Sequence, residues 1–294
     1  MTHYSTGSTD GRTRRLVVAG VDGSPSSRHA LQWALDEGVR LDADVEAVTA
    51  WHGLTPGWYP DHVVPEGHEA TTVELEARQA LDDTCNVLQL ARPIAVHPLR
   101  RVVLEGDPAA VLLARAEHAE LLVLGRRGHR PAGPHLGSVV DGCTRRAPCP
   151  VAVVPLSDRA GTARVVVGVD GSPGSRVALD WAGREARRRQ ARLEVVLAVV
   201  PSHARDTGRA QHALNTLVDE VLSEQAGNVI RRVCIDHAVP ALLDAAARAD
   251  VVVVGSRGLG AVRSLVLGSV SNAVVRSAPC TTVVVPDVAC DGQL

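Results

Sequence analysis

The strongest constraint in this 294-residue sequence is that it is written twice. Residues 17–34, VVAGVDGSPSSRHALQWA, lie over 165–182, VVVGVDGSPGSRVALDWA. Two later matches follow in the same order: 121–128, LLVLGRRG, over 251–258, VVVVGSRG, and 147–155, APCPVAVVP, over 278–286, APCTTVVVP. A chain made of two like segments folds as two like units, because each repeats the same supersecondary set. The copies draw closer together after the first match, so the first has the longer middle. The extra length lies chiefly at 51–67, where Pro56, Pro60 and Pro65 mark a loop. A short polar connector, 157–163, separates domains at 14–156 and 164–287. Residues 1–13 read as a disordered tail and 288–294 as a C-terminal tail.

Within each copy short apolar runs alternate with helical patterns. The runs are 16–21, 45–51, 99–104, 121–124 and 151–154, then 165–169, 193–200, 228–235, 251–254 and 281–285. Such alternation predicts βαβ units and a parallel sheet, and continuous apolar runs suit strands buried on both faces. The expected class is α/β, with two tandem doubly wound, Rossmann-like domains of five parallel strands each. Ser24-Pro25 and Ser172-Pro173 read as an N-cap followed by proline at the first helical position. The first of these helices carries Ala30, Leu31, Ala34 and Leu35 on one stripe, and Trp33 and Trp181 sit at matching points as packing residues. The last run of each copy should form a sheet edge, and an uncovered apolar edge invites pairing. The two copies are therefore expected to pair inside one chain as a pseudo-dimer. Association of two chains stays open.

In an open parallel sheet, ligands bind beyond the carboxyl ends of the strands, where strand order reverses. Two features of each copy fall at such ends. Asp22 and Asp170 close the first strand just before Gly-Ser-Pro. After the fourth strand come Gly125 and Gly128, or Gly255 and Gly258, each pair leading to a further Gly-Ser at Gly137-Ser138 and Gly268-Ser269. Glycines let backbone N–H groups approach an anion closely, and a helix N-terminus adds aligned donors and partial positive charge. Ser269 and Ser271 can add hydroxyl donors, and Arg127 and Arg257 are candidate phosphate contacts, with Arg126 and Arg130 as further positive charge.

Composition decides how an anion would be held. All 31 residues of the Lys+Arg total are arginine, so a Schiff-base enzyme and a Walker-type phosphate loop both lack their central residue. Scarcity of Lys and Phe beside plentiful Arg, Ala, Val and Gly is what a GC-rich coding sequence produces. A net charge of −2 and 2% aromatics supply neither the basic field nor the stacking platform of a nucleic-acid binder. No apolar run reaches the length of a membrane span, and the first residues are polar, which predicts a cytoplasmic protein without a membrane partner. The six cysteines, Cys85, Cys143, Cys149, Cys234, Cys280 and Cys290, show no metal-ligand spacing and read as reduced packing residues. No metal site is assigned to protein side chains.

Taken together and in order, twice, the G-V-D-G-S-P start, the glycine loop after strand four and the A-P-C-x-x-x-V-V-P strand resemble the tandem members of the universal stress protein family. The resemblance covers residues 14–287. It implies an adenine nucleotide alpha hydrolase-like fold that binds ATP, with or without Mg²⁺ on the phosphates. It further implies that Asp170 meets the adenine or ribose region, that Val199 packs on the base, and that Gly255, Gly258, Gly268 and Ser269 hold the phosphates. Val270 and Ser271 would complete the helix start. The first-copy counterparts are Asp22, Trp51, Gly125, Gly128, Gly137, Ser138 and Val139, with Trp51 either stacking on adenine or filling space. That copy departs from the pattern: eight residues, Pro131 and Pro134 among them, separate Gly128 from Gly137, where the second copy has nine between Gly258 and Gly268. Gly106, in the turn before the third helix, either lets backbone lie near a ligand or simply makes the turn. No general base is legible beside the expected phosphates and no catalytic residue is assigned. The leading expectation is a stress-response binding module, with a slow ATPase or nucleotidyl-transfer enzyme and a nucleotide-free dimeric interaction protein as rivals.

Overall fold

A computed structural model of the chain describes residues 14–52, 70–91, 98–128, 136–156, 161–222, 229–259 and 267–287. The expectations for 1–13, for Pro56, Pro60 and Pro65, for Arg130, Pro131 and Pro134, for 157–160 and for 288–294 with Cys290 lie outside these residues. The first copy runs β1 (Arg15–Gly20), α1 (Pro25–Leu41), β2 (Ala43–Trp51), α2 (Ala70–Ala91), β3 (Leu99–Glu105), α3 (Pro108–Ala116), β4 (Leu121–Gly125), α4 (Ser138–Arg146) and β5 (Val151–Val154). The second runs β6 (Arg164–Val169), α5 (Pro173–Arg188), β7 (Arg192–Val199), a short 3₁₀ segment (Pro201–Asp206), α6 (Thr207–Leu222), β8 (Val229–Ile235), α7 (Ala238–Ala246), β9 (Val251–Gly255), α8 (Ser269–Ser277) and β10 (Thr281–Val285).

Local chemistry starts the helices as the sequence suggests. The Ser24 hydroxyl accepts the Ser27 N–H at 3.1 Å and the Ser172 hydroxyl accepts the Ser175 N–H at 3.2 Å, so each N-cap satisfies one orphan donor of α1 or α5. Pro25 and Pro173 occupy first-turn positions where a missing N–H costs nothing. In α3, Asp107 plays the same part, accepting the Ala110 N–H at 2.9 Å.

All ten strands form one sheet in the order β3-β2-β1-β4-β5-β10-β9-β6-β7-β8. Pairing is parallel within each half and antiparallel where the halves meet: Val153 lies opposite Thr282, Ala152 opposite Val283 and Val151 opposite Val284. The two five-stranded units thus merge, and the final strands, expected as edges, lie at the centre. The outer edges are β3 and β8, which are only half-buried, unlike the strands between them. Each edge strand carries two successive arginines. Arg101 and Arg231 reach Asp82 on α2 and Asp219 on α6, while Arg100 and Arg232 reach Asp44 and Glu194 on the neighbouring strands.

Alternation along the strands builds a core on each side of the sheet. Val17, Ala19, Leu31, Trp33, Val165, Val167, Leu179 and Trp181 belong to one core, which runs continuously across both halves. Val18, Leu112, Leu122, Val166, Leu242 and Val252 belong to the other. Trp33 and Trp181 are buried packing residues, as their place on the helical stripe predicts.

Polar contacts also cross between halves. Arg126, expected to add charge to the first glycine loop, instead sends its guanidinium to the Ala278 carbonyl at 2.5 Å and the Cys280 carbonyl at 3.4 Å, at the C-terminal end of α8. Unsatisfied carbonyls at a helix end attract a cation, which accounts for the diversion. No helix among the described residues is long and apolar enough to cross a membrane.

Leu31 and Leu179 hold matching positions on α1 and α5, and both are fully buried. Leu31→Ala and Leu179→Ala should each cost about 2–5 kcal/mol in urea unfolding, by similar amounts. A loss below about 1 kcal/mol at either site would mean that the core beneath that helix is not packed as described.

Candidate functional site

Strand order reverses between β1 and β4 in one half and between β6 and β9 in the other, and each switch point opens a crevice beyond the strand ends. Asp22 and Asp170 follow β1 and β6 there. The chain then turns sharply into a helix through Gly23 (φ +81°) and Gly171 (φ +84°), a backbone region that glycine enters without steric cost. Asp22 Oδ1 accepts the Ser24 N–H at 3.0 Å, and Asp170 Oδ1 accepts the Ser172 N–H at 3.0 Å. In the second half Asp170 Oδ2 also accepts the Leu259 N–H at 2.9 Å, tying the end of β6 to the glycine loop. Partial burial pushes the Asp170 carboxyl up, but the hydrogen bonds from Ser172, Leu259 and Ser175 outweigh it and hold the group below the usual carboxylate range. It is therefore ionised at neutral pH.

The loop glycines divide into two kinds. At Gly125 an added Cβ would lie 2.7 Å from the Ser26 backbone, and at Gly255 one would lie 3.1 Å from the Gly174 backbone. At Gly128 it would lie 2.9 Å from Asp22 Oδ2, and at Gly258 it would run into Asp170 Oδ2. Backbone blocks a side chain at Gly125 and leaves a tight fit at Gly255, while at Gly128 and Gly258 the obstacle is the Asp22 or Asp170 carboxylate. Gly137 and Gly268 are different. Their φ values of −58° and −57° suit any residue. A Cβ on Gly137 would meet nothing within 4 Å among the described residues, and one on Gly268 nothing nearer than 3.5 Å.

Both open glycines are N-caps, of α4 and α8, and neither helix start has a side-chain cap, in contrast to α1, α3 and α5. The first-turn N–H groups of Ser138 and Val139, and of Ser269, Val270 and Ser271, have no carbonyl within their own helix to pair with. The Ser138 and Ser269 side chains are exposed beside them. Trp51 and Val199 end β2 and β7, half-buried, with the Trp51 carbonyl accepting the Gly106 N–H at 2.8 Å and the Val199 carbonyl the Asp236 N–H at 3.0 Å. Gly106 has φ +141°, so of its two readings the structure displays the turn into α3.

Three side chains behave differently from the simplest expectation. The Ser271 hydroxyl is buried and donates to the Gly255 carbonyl at 2.6 Å, pinning α8 to the end of β9 rather than facing the crevice. Arg257 places its Nε 2.6 Å from Asp287 Oδ2, and Asp287 Oδ1 accepts from the Ser256 hydroxyl at 3.3 Å. Arg127 is exposed, and its backbone N–H donates to the Ser26 hydroxyl at 3.3 Å. Asp287 and Ser26 are the participants that motif reading missed. Their signal is a difference between the copies: Asp287 stands where the first copy has Leu156, and Ser26 where the second has Gly174.

The arrangement suits holding an anion by backbone donors. Among the described residues no group of three or more His, Cys, Asp or Glu side chains is placed to hold a metal ion. Burial pushes the Cys85 thiol up to about 11 and the Cys143 thiol up to about 12, which leaves neither as a nucleophile at neutral pH.

Comparison with known proteins agrees with this architecture. The model of the universal stress protein family matches twice, at residues 13–155 and 161–286. Universal stress protein Rv2005c of Mycobacterium tuberculosis is 32% identical over 293 residues, covering 93% of this chain and 97% of the relative. Universal stress protein Rv2623 of the same organism is 28% identical, covering 94% and 98%. Among solved structures, a universal stress protein from Archaeoglobus fulgidus superposes with a TM-score of 0.70 at 18% identity, covering 94% of this chain and all 100% of that one. PA1789 from Pseudomonas aeruginosa gives a TM-score of 0.62 at 15% identity, covering 93% of each chain. These two structures speak for the fold, and the family matches carry the assignment: the chain belongs to the universal stress protein family and holds two of its domains in tandem.

Proposed function

We propose that the chain binds an adenine nucleotide, ATP in the first instance, and acts as a cytoplasmic stress-response binding module rather than a catalyst. The observation that carries this reading is the pair Gly137 and Gly268. Both helix starts leave space that neither backbone geometry nor packing requires, and a ligand approaching the N–H groups of α4 and α8 would need that space. In the second half Gly255, Gly258, Gly268 and Ser269 would hold the phosphates on backbone and hydroxyl donors. Asp170 would keep the glycine loop in place and use its remaining lone pairs toward the adenine or ribose, with Val199 against the base. ATP with Mg²⁺ would bring its own cation, since no lysine is available to neutralise the phosphates.

The first half has the same parts in Asp22, Trp51, Gly125, Gly128, Gly137, Ser138 and Val139, with Arg127 exposed nearby. Its loop is one residue shorter, and Arg126 is committed to the other half. We take the second site as the tighter, with β5 and β10 joining the halves as a pseudo-dimer around the two.

Calorimetric titration of the full chain with ATP should give at least one site per chain. The double substitution Gly268→Ala and Ser269→Ala fits the local backbone, so it should leave urea stability within about 0.5 kcal/mol of the parent while weakening ATP binding tenfold or more. Absence of binding by the parent chain would overturn the reading. Incubation with Mg²⁺ and ATP should release phosphate no faster than a protein-free blank. Turnover well above that blank, abolished by the same double substitution, would reveal a catalyst instead.

A further inference from the structure

One charged cluster lies between the halves, away from both crevices. Glu37 on α1 and Glu185 on α5 hold matching positions in the two copies and are 1% and 0% exposed, so bulk water solvates neither. Arg189, just past α5, stands between them, where the first copy has Leu41. Its Nη2 donates to Glu37 Oε2 at 2.5 Å, its Nε donates to Glu185 Oε1, and its guanidinium lies 5.3 Å from the centre of the Trp33 ring. Arg40 approaches Glu37 at 3.0 Å and Arg188 approaches Glu185 at 3.5 Å.

Arg189 and Arg40 both engage Oε2 of Glu37, while on Glu185 Arg189 takes Oε1 and Arg188 lies 3.5 Å from Oε2, beyond good hydrogen-bonding distance. Glu37 Oε1 and Glu185 Oε2 are buried without a hydrogen-bond partner, and the two carboxylates flank the single guanidinium of Arg189. Two ionised carboxylates are acceptors only and cannot satisfy one another. A carboxyl and a carboxylate can, and buried polar atoms left unpaired are rare. We propose that Glu37 and Glu185 share a single proton and, with Arg189 between them, form a proton-dependent joint across the two halves.

The surrounding charges support the assignment. Burial first, and then the charge of Glu185, push the Glu37 carboxyl up to about 7, against the opposing pull of Arg189 and Arg40. Arg40 and Arg188 are 34% and 24% exposed, so solvent screens their charge more than that of Arg189, which is 10% exposed. Asp250 adds a further negative influence on Arg189. Helix α1 packs on β1, β4, β2 and β5, and α5 on β6, β9, α6, β10 and β7. The carboxylates on those elements, Asp44, Glu46, Glu194, Asp219 and Glu220, are held by arginines other than Arg189, and β5 and β10 carry no titratable group.

A carboxyl raised from 4.5 to about 7 in the folded state binds a proton that the unfolded chain has already lost in that interval. The stability it contributes is therefore complete below about pH 4.5 and is lost as pH rises to about 7, where a second charge develops between the halves.

The test follows unfolding of the full chain from about pH 5 to about pH 9, comparing the parent with Glu37→Gln, which keeps a donor but does not titrate. The ratio of their unfolding constants should change by up to about tenfold per pH unit below pH 7 and level off above it, while histidine titrations common to both cancel. Parallel profiles would overturn the proposal. Infrared spectra of the parent give an independent reading: a buried protonated carboxyl band should be present at about pH 6, fade through about pH 7 and be missing from Glu37→Gln. If that variant does not fold, Glu185→Gln takes its place, and absence of the band from the parent at about pH 6 would sink the idea.

Discussion

The antiparallel contact of β5 with β10 is the constraint on which the rest of the molecule hangs. Both strands are buried along their whole length and made almost wholly of valine, alanine and threonine. Left apart, each would expose a row of unpaired backbone donors and acceptors on an apolar strand, which is unfavourable in water and open to any other strand. Their pairing satisfies those groups and makes the cores on both faces continuous across the halves. It also brings α1 beside α5, where Arg189 can span Glu37 and Glu185, and brings the first glycine loop within reach of the end of α8.

Duplication has preserved the backbone logic and let side chains diverge. The strand-to-helix turn, the serine N-cap, the crowded glycines and the uncapped helix start occur twice with closely similar geometry. At the matched positions Ser26 faces Gly174, Arg126 faces Ser256 and Leu156 faces Asp287. As a result the first half gives its loop arginine to the carbonyls at the C-terminal end of α8, where a cation complements the helix dipole. The second half keeps its loop arginine at home, held by Asp287. Since α8 begins at the second crevice, residues belonging to the first copy touch the far end of the helix that forms the second site.

Much of this is legible in the residues alone because it is local. Strand runs, the Ser-Pro helix starts and the glycine spacing are properties of neighbouring residues, and the observed strands begin and end within about two residues of the apolar runs that mark them, as boundaries usually do. What resists reading depends on partners far away in the chain. Ser271 looks like a hydroxyl donor for a ligand until β9 places the Gly255 carbonyl beneath it. Arg126 looks like charge for its own loop until the sheet joins and presents the Ala278 carbonyl. Glu37 and Glu185 belong to no motif, and their burial depends on α1 and α5 coming together. The alignment of the copies nevertheless carries a usable hint. Arg126 differs from Ser256 inside a matching segment, while Arg189 and Asp287, beyond the ends of such segments, replace Leu41 and Leu156, and each makes a contact that its counterpart cannot make.

Among the described residues the outer strands β3 and β8 have no strand partner on one side, and each presents two consecutive arginines anchored to carboxylates on opposite faces of the sheet. Edge protection commonly falls to lysine, whose flexible stem keeps a charge in solvent. In a chain with no lysine the same duty passes to guanidinium groups fixed in place by Asp82, Asp44, Asp219 and Glu194. A strand from another molecule would meet these ion pairs on both faces of the edge. Each outer edge of the sheet therefore meets solvent as a row of paired charges rather than as a bare apolar strand, and the four arginines that make it so take no part in either crevice.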